Sequence, residues 1–268
     1  EVRSELATMP SKLIVGNWKM YPTLSDSLVL AATFKKSLED INGVEIVLAP
    51  PTAWLVPIVE SWKHKLAHVH FAAQNVWPID QGAYTGEVSA YMLKHIIQYA
   101  IVGHSERRQY AGEDNDLVHQ KIQACLQWGI QPIFCVGESK KMIDGQGNFD
   151  AYQLGKVTEQ LLEGMNAVKK DNFNKVTVAY EPIWAIGTGE AATAEYTLQV
   201  INKLKEKLAE KFGNRTAALV RFIYGGSVST TNVVEFLRIP EISGVLAGGI
   251  SVKADNFIKI CQIAAKTR

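Results

Sequence analysis

Eight short β-branched runs alternate with longer amphipathic stretches along this chain, and that alternation limits the folds open to it. The strand candidates are Leu13–Asn17, Val44–Ala49, Val69–Gln74, Tyr99–Gly103, Gln131–Val136, Lys175–Tyr180, Leu219–Tyr224 and Ile242–Ala247. Helical stretches between them include Leu24–Asp40, Asp114–Trp128, Ala192–Phe212 and Lys253–Ala265. In Ala192–Phe212 the apolar residues Leu198, Ile201, Leu204 and Leu208 recur on one helical face. Strands separated by helices pair in parallel, since a parallel crossover needs about a dozen residues or more. Near-continuous apolar strands suit a sheet buried on both faces. Eight such units permit closure into a single (β/α)8 barrel, and 268 residues fit one such domain. An open doubly wound sheet is the alternative that periodicity leaves standing.

With 47% apolar and aromatic residues the chain can build a large core, and a formal net charge of +1 argues against a dedicated binder of nucleic acid or acidic membranes. No apolar run approaches the ~18 residues of a membrane span. Residues 1–10 read as a tail or added remnant before a barrel domain over 11–268, because Glu1 to Thr8 lack an apolar signal core and Met9-Pro10-Ser11 resembles a start. Cys125, Cys135 and Cys261 form neither a disulfide framework nor a zinc knuckle, which points to a reducing cytoplasm.

Polar and glycine-rich sequences follow the strand ends: Asn17-Trp18-Lys19, Gln74-Asn75, Gly103-His104-Ser105-Glu106, Glu181-Pro182, Gly225-Gly226-Ser227 and Gly248-Gly249. In a barrel these ends converge on one face, where barrel enzymes place their sites. Glu181 is a candidate general base, because apolar Ile183, Trp184 and Ile186 beside it would desolvate the carboxylate and raise its pKa. As an isolated residue it reads equally well as a rim glutamate. Ile186-Gly187-Thr188-Gly189 has the composition of a lid that excludes water. The same glycines match the dinucleotide pattern G-x-G-x-x-A, but they do not follow the strand directly, and the expected acid position falls within a helix around Glu210.

His104 at a helix start would be held neutral by the helix dipole and could donate a hydrogen bond to a carbonyl. A lone histidine is more often structural, and only its partners favour the catalytic reading. Lys19 can offer positive charge to a phosphate and an oxyanion, with Asn17 positioning it; the bland readings are a solvated lysine and a turn asparagine. The pairs Gly225-Gly226 and Gly248-Gly249 allow backbone amides to approach a phosphate, and the Ser227 hydroxyl adds a donor. Barrels often bind phosphate behind strands seven and eight. His64, His68 and His70 have metal-like spacing but lack the glutamate of a zincin helix, so no metal is assigned. Cys135 reads as a buried, inert thiol.

Gly16-Asn17-Trp18-Lys19-Met20, Val102 to Arg108, Ala179 to Gly189, Tyr224 to Val228 and Ala247-Gly248-Gly249 resemble the signature segments of the triosephosphate isomerase family, in family order. The resemblance implies a TIM barrel that interconverts dihydroxyacetone phosphate and glyceraldehyde 3-phosphate without metal or cofactor. It implies Glu181 as the proton-transfer base, His104 as neutral electrophile, and Lys19 and Asn17 as charge-stabilising and orienting groups. The amides of Gly187, Ser227, Gly248 and Gly249 would hold the phosphate, and Glu106 would support Lys19. A homodimer is implied, with the loop Gln81–Glu87 inserted toward the neighbouring subunit's site. The chain departs from the family at Glu190-Ala191-Ala192 and at Ser243 to Ala247, neither of which removes a catalytic group. Two other readings compete: a Schiff-base aldolase using Lys19, and an inactive phosphometabolite-binding scaffold.

Overall fold

The computed structural model describes residues 11–62, 66–186 and 191–267. Eight strands form a closed, all-parallel barrel in sequence order: β1 (Lys12–Asn17), β2 (Val44–Ala49), β3 (Val69–Ala73), β4 (Tyr99–Val102), β5 (Gln131–Val136), β6 (Thr177–Tyr180), β7 (Arg221–Tyr224) and β8 (Gly244–Ala247). β8 returns to β1 with Leu13 opposite Gly244 and Gly16 opposite Ala247. The open doubly wound alternative is thereby excluded.

Side chains along a strand alternate between faces, so an apolar run feeds two cores. Leu13, Val15, Val47, Ile101, Ile133 and Leu246 fill the barrel interior. Ile14, Ile46, Leu48, Val102, Phe134 and Val178 face outward beneath the helices. The helix Leu24–Leu38 opens with Thr23 accepting from the Asp26 amide at 3.2 Å, and buries Leu30, Ala31, Phe34 and Leu38. Asp114 and Thr193 cap the helices Asn115–Gln127 and Ala194–Phe212 in the same way. Thr52–Ser61, Ala151–Asn166 and Ala254–Lys266 are the other long helices. Among the described residues, no helix is long and apolar enough to cross a membrane.

Three strands begin later than their apolar runs. Leu219 and Val220 donate to Thr216 and Ala217 carbonyls and close a turn, so β7 starts at Arg221. Ile242 likewise donates to Ile239, and β8 starts at Gly244. Lys175 ends a 3-10 turn, Lys170–Lys175, before β6.

Candidate active site

The strand ends deliver the candidate residues to one rim. Asn17 ends β1, and its Oδ1 accepts the Lys19 amide at 3.0 Å. That bond holds Lys19 in a left-handed conformation, with φ of +51°. Gln74, just beyond β3, braces the turn by donating from Nε2 to the carbonyls of Lys19 and Ala49, both at 2.9 Å. Lys19 Nζ lies 2.5 Å from Glu106 Oε1, the supporting acid the resemblance implied. Lys19 also runs past Gly248, where a Cβ would stand 3.1 Å from Lys19 Cε.

Glu181 follows β6 and is 1% exposed. Its Oε1 is 3.0 Å from His104 Nε2, and its Oε2 accepts the Ser105 amide at 3.0 Å. Burial pushes the Glu181 pKa up, as expected, but the His104 ring and the Ser105 amide outweigh it, and the net direction is down. This corrects the expectation drawn from desolvation alone.

His104 is itself buried, which lowers its pKa, yet the carboxylates of Glu181 and Glu106 reverse the direction to upward. The helix that begins at Ser105 has only six residues, and its partial charge is a weaker influence than a carboxylate at 3.0 Å. The helix terminus therefore does not by itself set the direction of the His104 shift. The Glu106 amide donates to Nδ1 at 3.2 Å, which makes Nδ1 an acceptor and directs the ring proton to Nε2.

A cavity of about 540 Å³ is lined by Lys19, His104, Ile183, Ser227, Gly248 and Gly249, among others. Five of the expected site residues thus meet there, with Glu181 reached through His104 and Asn17 through Lys19. Gly187 lies outside the described residues. The Ser227 hydroxyl is already committed, donating to the Ala185 carbonyl at 2.8 Å. This corrects the reading of that hydroxyl as a phosphate donor and leaves Ser227 its backbone amide.

Two buried clusters escaped the sequence reading. Glu138 accepts from Tyr180 Oη at 2.7 Å, Trp184 Nε1 at 2.8 Å and Tyr196 Oη at 3.2 Å. Its carbonyl accepts the Ile183 amide at 2.9 Å, which ties it to the turn just after Glu181. Burial pushes its carboxyl up to about 7 against the pull of those donors. Lys121, fully buried, reaches Asn75 Oδ1 at 2.7 Å and Glu113 Oε1 at 2.5 Å, and Arg107 bonds the same carboxylate. The only hints were a helix lysine on an apolar face and a glutamate after a strand.

His68 Nε2 is 2.9 Å from the Leu38 carbonyl, and His70 Nε2 is 3.6 Å from Glu45 Oε1. His64 lies outside the described residues, and among those described no group of three ligating side chains could hold a metal ion. Cys135 is fully buried, as expected, and burial pushes its thiol pKa well up.

A family model described as triosephosphate isomerase matches residues 12–264. The chain is 42% identical to a triosephosphate isomerase of Dehalococcoides mccartyi strain BAV1 over 253 residues, covering 94% of this chain and 96% of that protein. It is 40% identical over 255 residues to the triosephosphate isomerase of Carboxydothermus hydrogenoformans, covering 95% and 99%. The Fusobacterium nucleatum triosephosphate isomerase is 41% identical over 254 residues, covering 93% and 97%.

Proposed function

Because the chain belongs to the triosephosphate isomerase family, we propose that Glu181, His104, Lys19 and Asn17 carry out its reaction. The protein is an isomerase that interconverts dihydroxyacetone phosphate and glyceraldehyde 3-phosphate. Glu181 removes a proton from C1 of the ketose. The C–H electrons form the C1–C2 double bond, and the carbonyl oxygen at C2 takes up the negative charge. His104 donates from Nε2 to that oxygen, and Lys19 supplies positive charge beside it. His104 then moves the hydroxyl proton between the two oxygens, and Glu181 returns its proton to C2, leaving the aldehyde at C1.

The free-site geometry explains how the base is primed. Glu181 now occupies the Nε2 donor of His104. A substrate carbonyl that takes this donor removes the neighbour that depresses the Glu181 pKa. Burial is then opposed chiefly by the Ser105 amide, and the carboxylate becomes a stronger base. The electron pair stays within the substrate throughout, so no metal or cofactor is assigned.

The observation that carries the assignment is the meeting of Lys19, His104 and the Gly248-Gly249 turn around one cavity, with Glu181 3.0 Å from His104. The amides of Ser227, Gly248 and Gly249, with Gly187, are assigned to the phosphate. A Schiff-base role for Lys19 is disfavoured by its ion pair with Glu106, since such lysines sit desolvated. Residues 11–268 are assigned to one barrel domain. A homodimer is assigned from the family resemblance, with the partner's Gln81–Glu87 loop directed at a second cavity of about 370 Å³ beside Lys19 and His104, whose wall this chain's own Gly86 and Glu87 share. A reducing cytoplasm is assigned from three buried free thiols.

Glu181→Asp tests the central role in a coupled turnover assay. Shortening the side chain moves the carboxylate by about one bond, and displacements of ~1 Å can cost ~100-fold. Turnover should fall on that order, with inhibition by inorganic phosphate unchanged. Near-normal turnover would remove Glu181 from the role of base.

A further inference from the structure

The residue after the first signature segment also faces the site. Tyr21 follows Met20 in the turn that leaves β1, where its amide donates to the Trp18 carbonyl at 3.4 Å. Its ring lies against Gly249: Cε2, Oη and Cζ would stand 3.7, 3.9 and 4.0 Å from a Cβ built there. Lys19 Cε approaches the Cβ position of Gly248 to 3.1 Å. The glycine pair is therefore bracketed, with a cation beside the first glycine and a phenol beside the second. Both side chains line the cavity of about 540 Å³.

Tyr21 is 64% exposed, so the hydrophobic core gains little from it. Among the described residues its hydroxyl has no hydrogen-bond partner. A phenol is a neutral donor throughout the physiological range, and a hydrogen bond to an anionic oxygen is stronger than one between neutral groups.

We infer that Tyr21 is a substrate-recognition residue, whose hydroxyl donates to the phosphate dianion held at Gly248-Gly249 and whose ring walls that end of the cavity. The inference rests on the assignment of that glycine pair to the phosphate.

Tyr21→Phe keeps the ring and removes the donor. Inorganic phosphate titrated into the wild-type protein and into this variant, followed through the amide resonances of Gly248 and Gly249, separates the two claims. The expected result is saturable movement of both amides in the wild type, with Kd raised about fivefold to tenfold in the variant. KM for dihydroxyacetone phosphate should rise by the same factor, with kcat within about twofold, because the bond is made equally in ground and transition states. Equal Kd values in the two proteins, with both amides moving, would overturn the role of Tyr21 and leave the glycine assignment intact. Unmoved amides in the wild type would overturn both. A changed sedimentation coefficient with unchanged Kd would make Tyr21 a subunit contact and refute its role in phosphate recognition.

Discussion

Gly225 and Glu181 touch across the ends of β7 and β6: a Cβ on Gly225 would stand 2.9 Å from Glu181 Cγ and 3.3 Å from the Tyr180 carbonyl. The backbone carbonyl cannot yield, so the glutamate would have to move. Gly225→Ala should therefore lower turnover by roughly 100-fold, the order expected for a ~1 Å misplacement of a reacting group. Circular dichroism should be unchanged, since the added methyl meets the site rather than the barrel core. Wild-type kcat in Gly225→Ala would contradict the claim that this glycine sets the position of the base.

The His104–Glu181 pair makes a pH prediction with a definite sign. The carboxylates of Glu181 and Glu106 raise the imidazole pKa against burial, so His104 in the free enzyme should titrate above 6.5. Glu181→Gln removes the nearer charge and leaves burial and the Nδ1 acceptor geometry. The His104 pKa should then drop, and nitrogen NMR of the imidazole would follow it directly. An imidazole that titrates identically in both proteins would show that Glu181 does not set its charge state.

Glu138 should titrate near pH 7, because burial raises it to about 7 from an ordinary carboxylate. A raised carboxyl pKa means that the folded state holds its proton after the unfolded chain has released it. The group's contribution to stability is therefore present below the unfolded pKa, near 4.5, and is lost as pH rises toward 7. The Trp184 indole donates to this carboxylate at 2.8 Å, so its N–H resonance should shift with a midpoint near 7. In Glu138→Gln the midpoint should vanish. A flat Trp184 trace across neutral pH in the wild type would refute the assignment.

The sequence made Glu181 legible because a strand end and a carboxylate adjoin within a few residues, and barrel topology places such ends on one face. Its pKa direction was not legible. Burial can be read from Ile183 and Trp184 nearby, but the opposing His104 and Ser105 reach it from β4, with Ser105 76 residues away in sequence. Glu138 was hidden for the same reason, since Tyr180 and Tyr196 lie 42 and 58 residues along the chain. The strand starts at β7 and β8 were misjudged because Leu219 and Ile242 are apolar yet close turns. Apolarity reports burial, whereas strand membership depends on where the amides donate.

Chelation offers a simple check on the assignment without a metal. His68 and His70 already face the Leu38 carbonyl and Glu45, so neither is oriented toward the Lys19 rim. Treatment with EDTA should leave turnover unchanged. Loss of activity that one divalent ion restores would return attention to His64, His68 and His70.

The last prediction concerns assembly. The loop Gln81–Glu87 is exposed along its length, and Tyr84 leans on Trp77 with ring centroids 5.3 Å apart. Met20, next to Lys19, is 95% exposed, and it lines the cavity of about 370 Å³ together with Asn17, Lys19, Gln74 and His104. A methionine and a tyrosine-bearing loop left in water cost free energy, at ~25 cal/mol per Å² of apolar surface, that burial against a second chain would recover. The Lys19 turn also sits in a left-handed conformation held by Asn17 and Gln74, so a neighbour packed on Met20 would brace it further. Each site is then complete within one chain but ordered by the partner's loop. Replacing residues 81–87 with a short glycine linker should yield monomers by sedimentation. Their turnover should be reduced by at least about 100-fold, on the scale of a ~1 Å loss of positioning, with barrel circular dichroism retained. A monomer of full activity at assay concentration would refute the role of the loop.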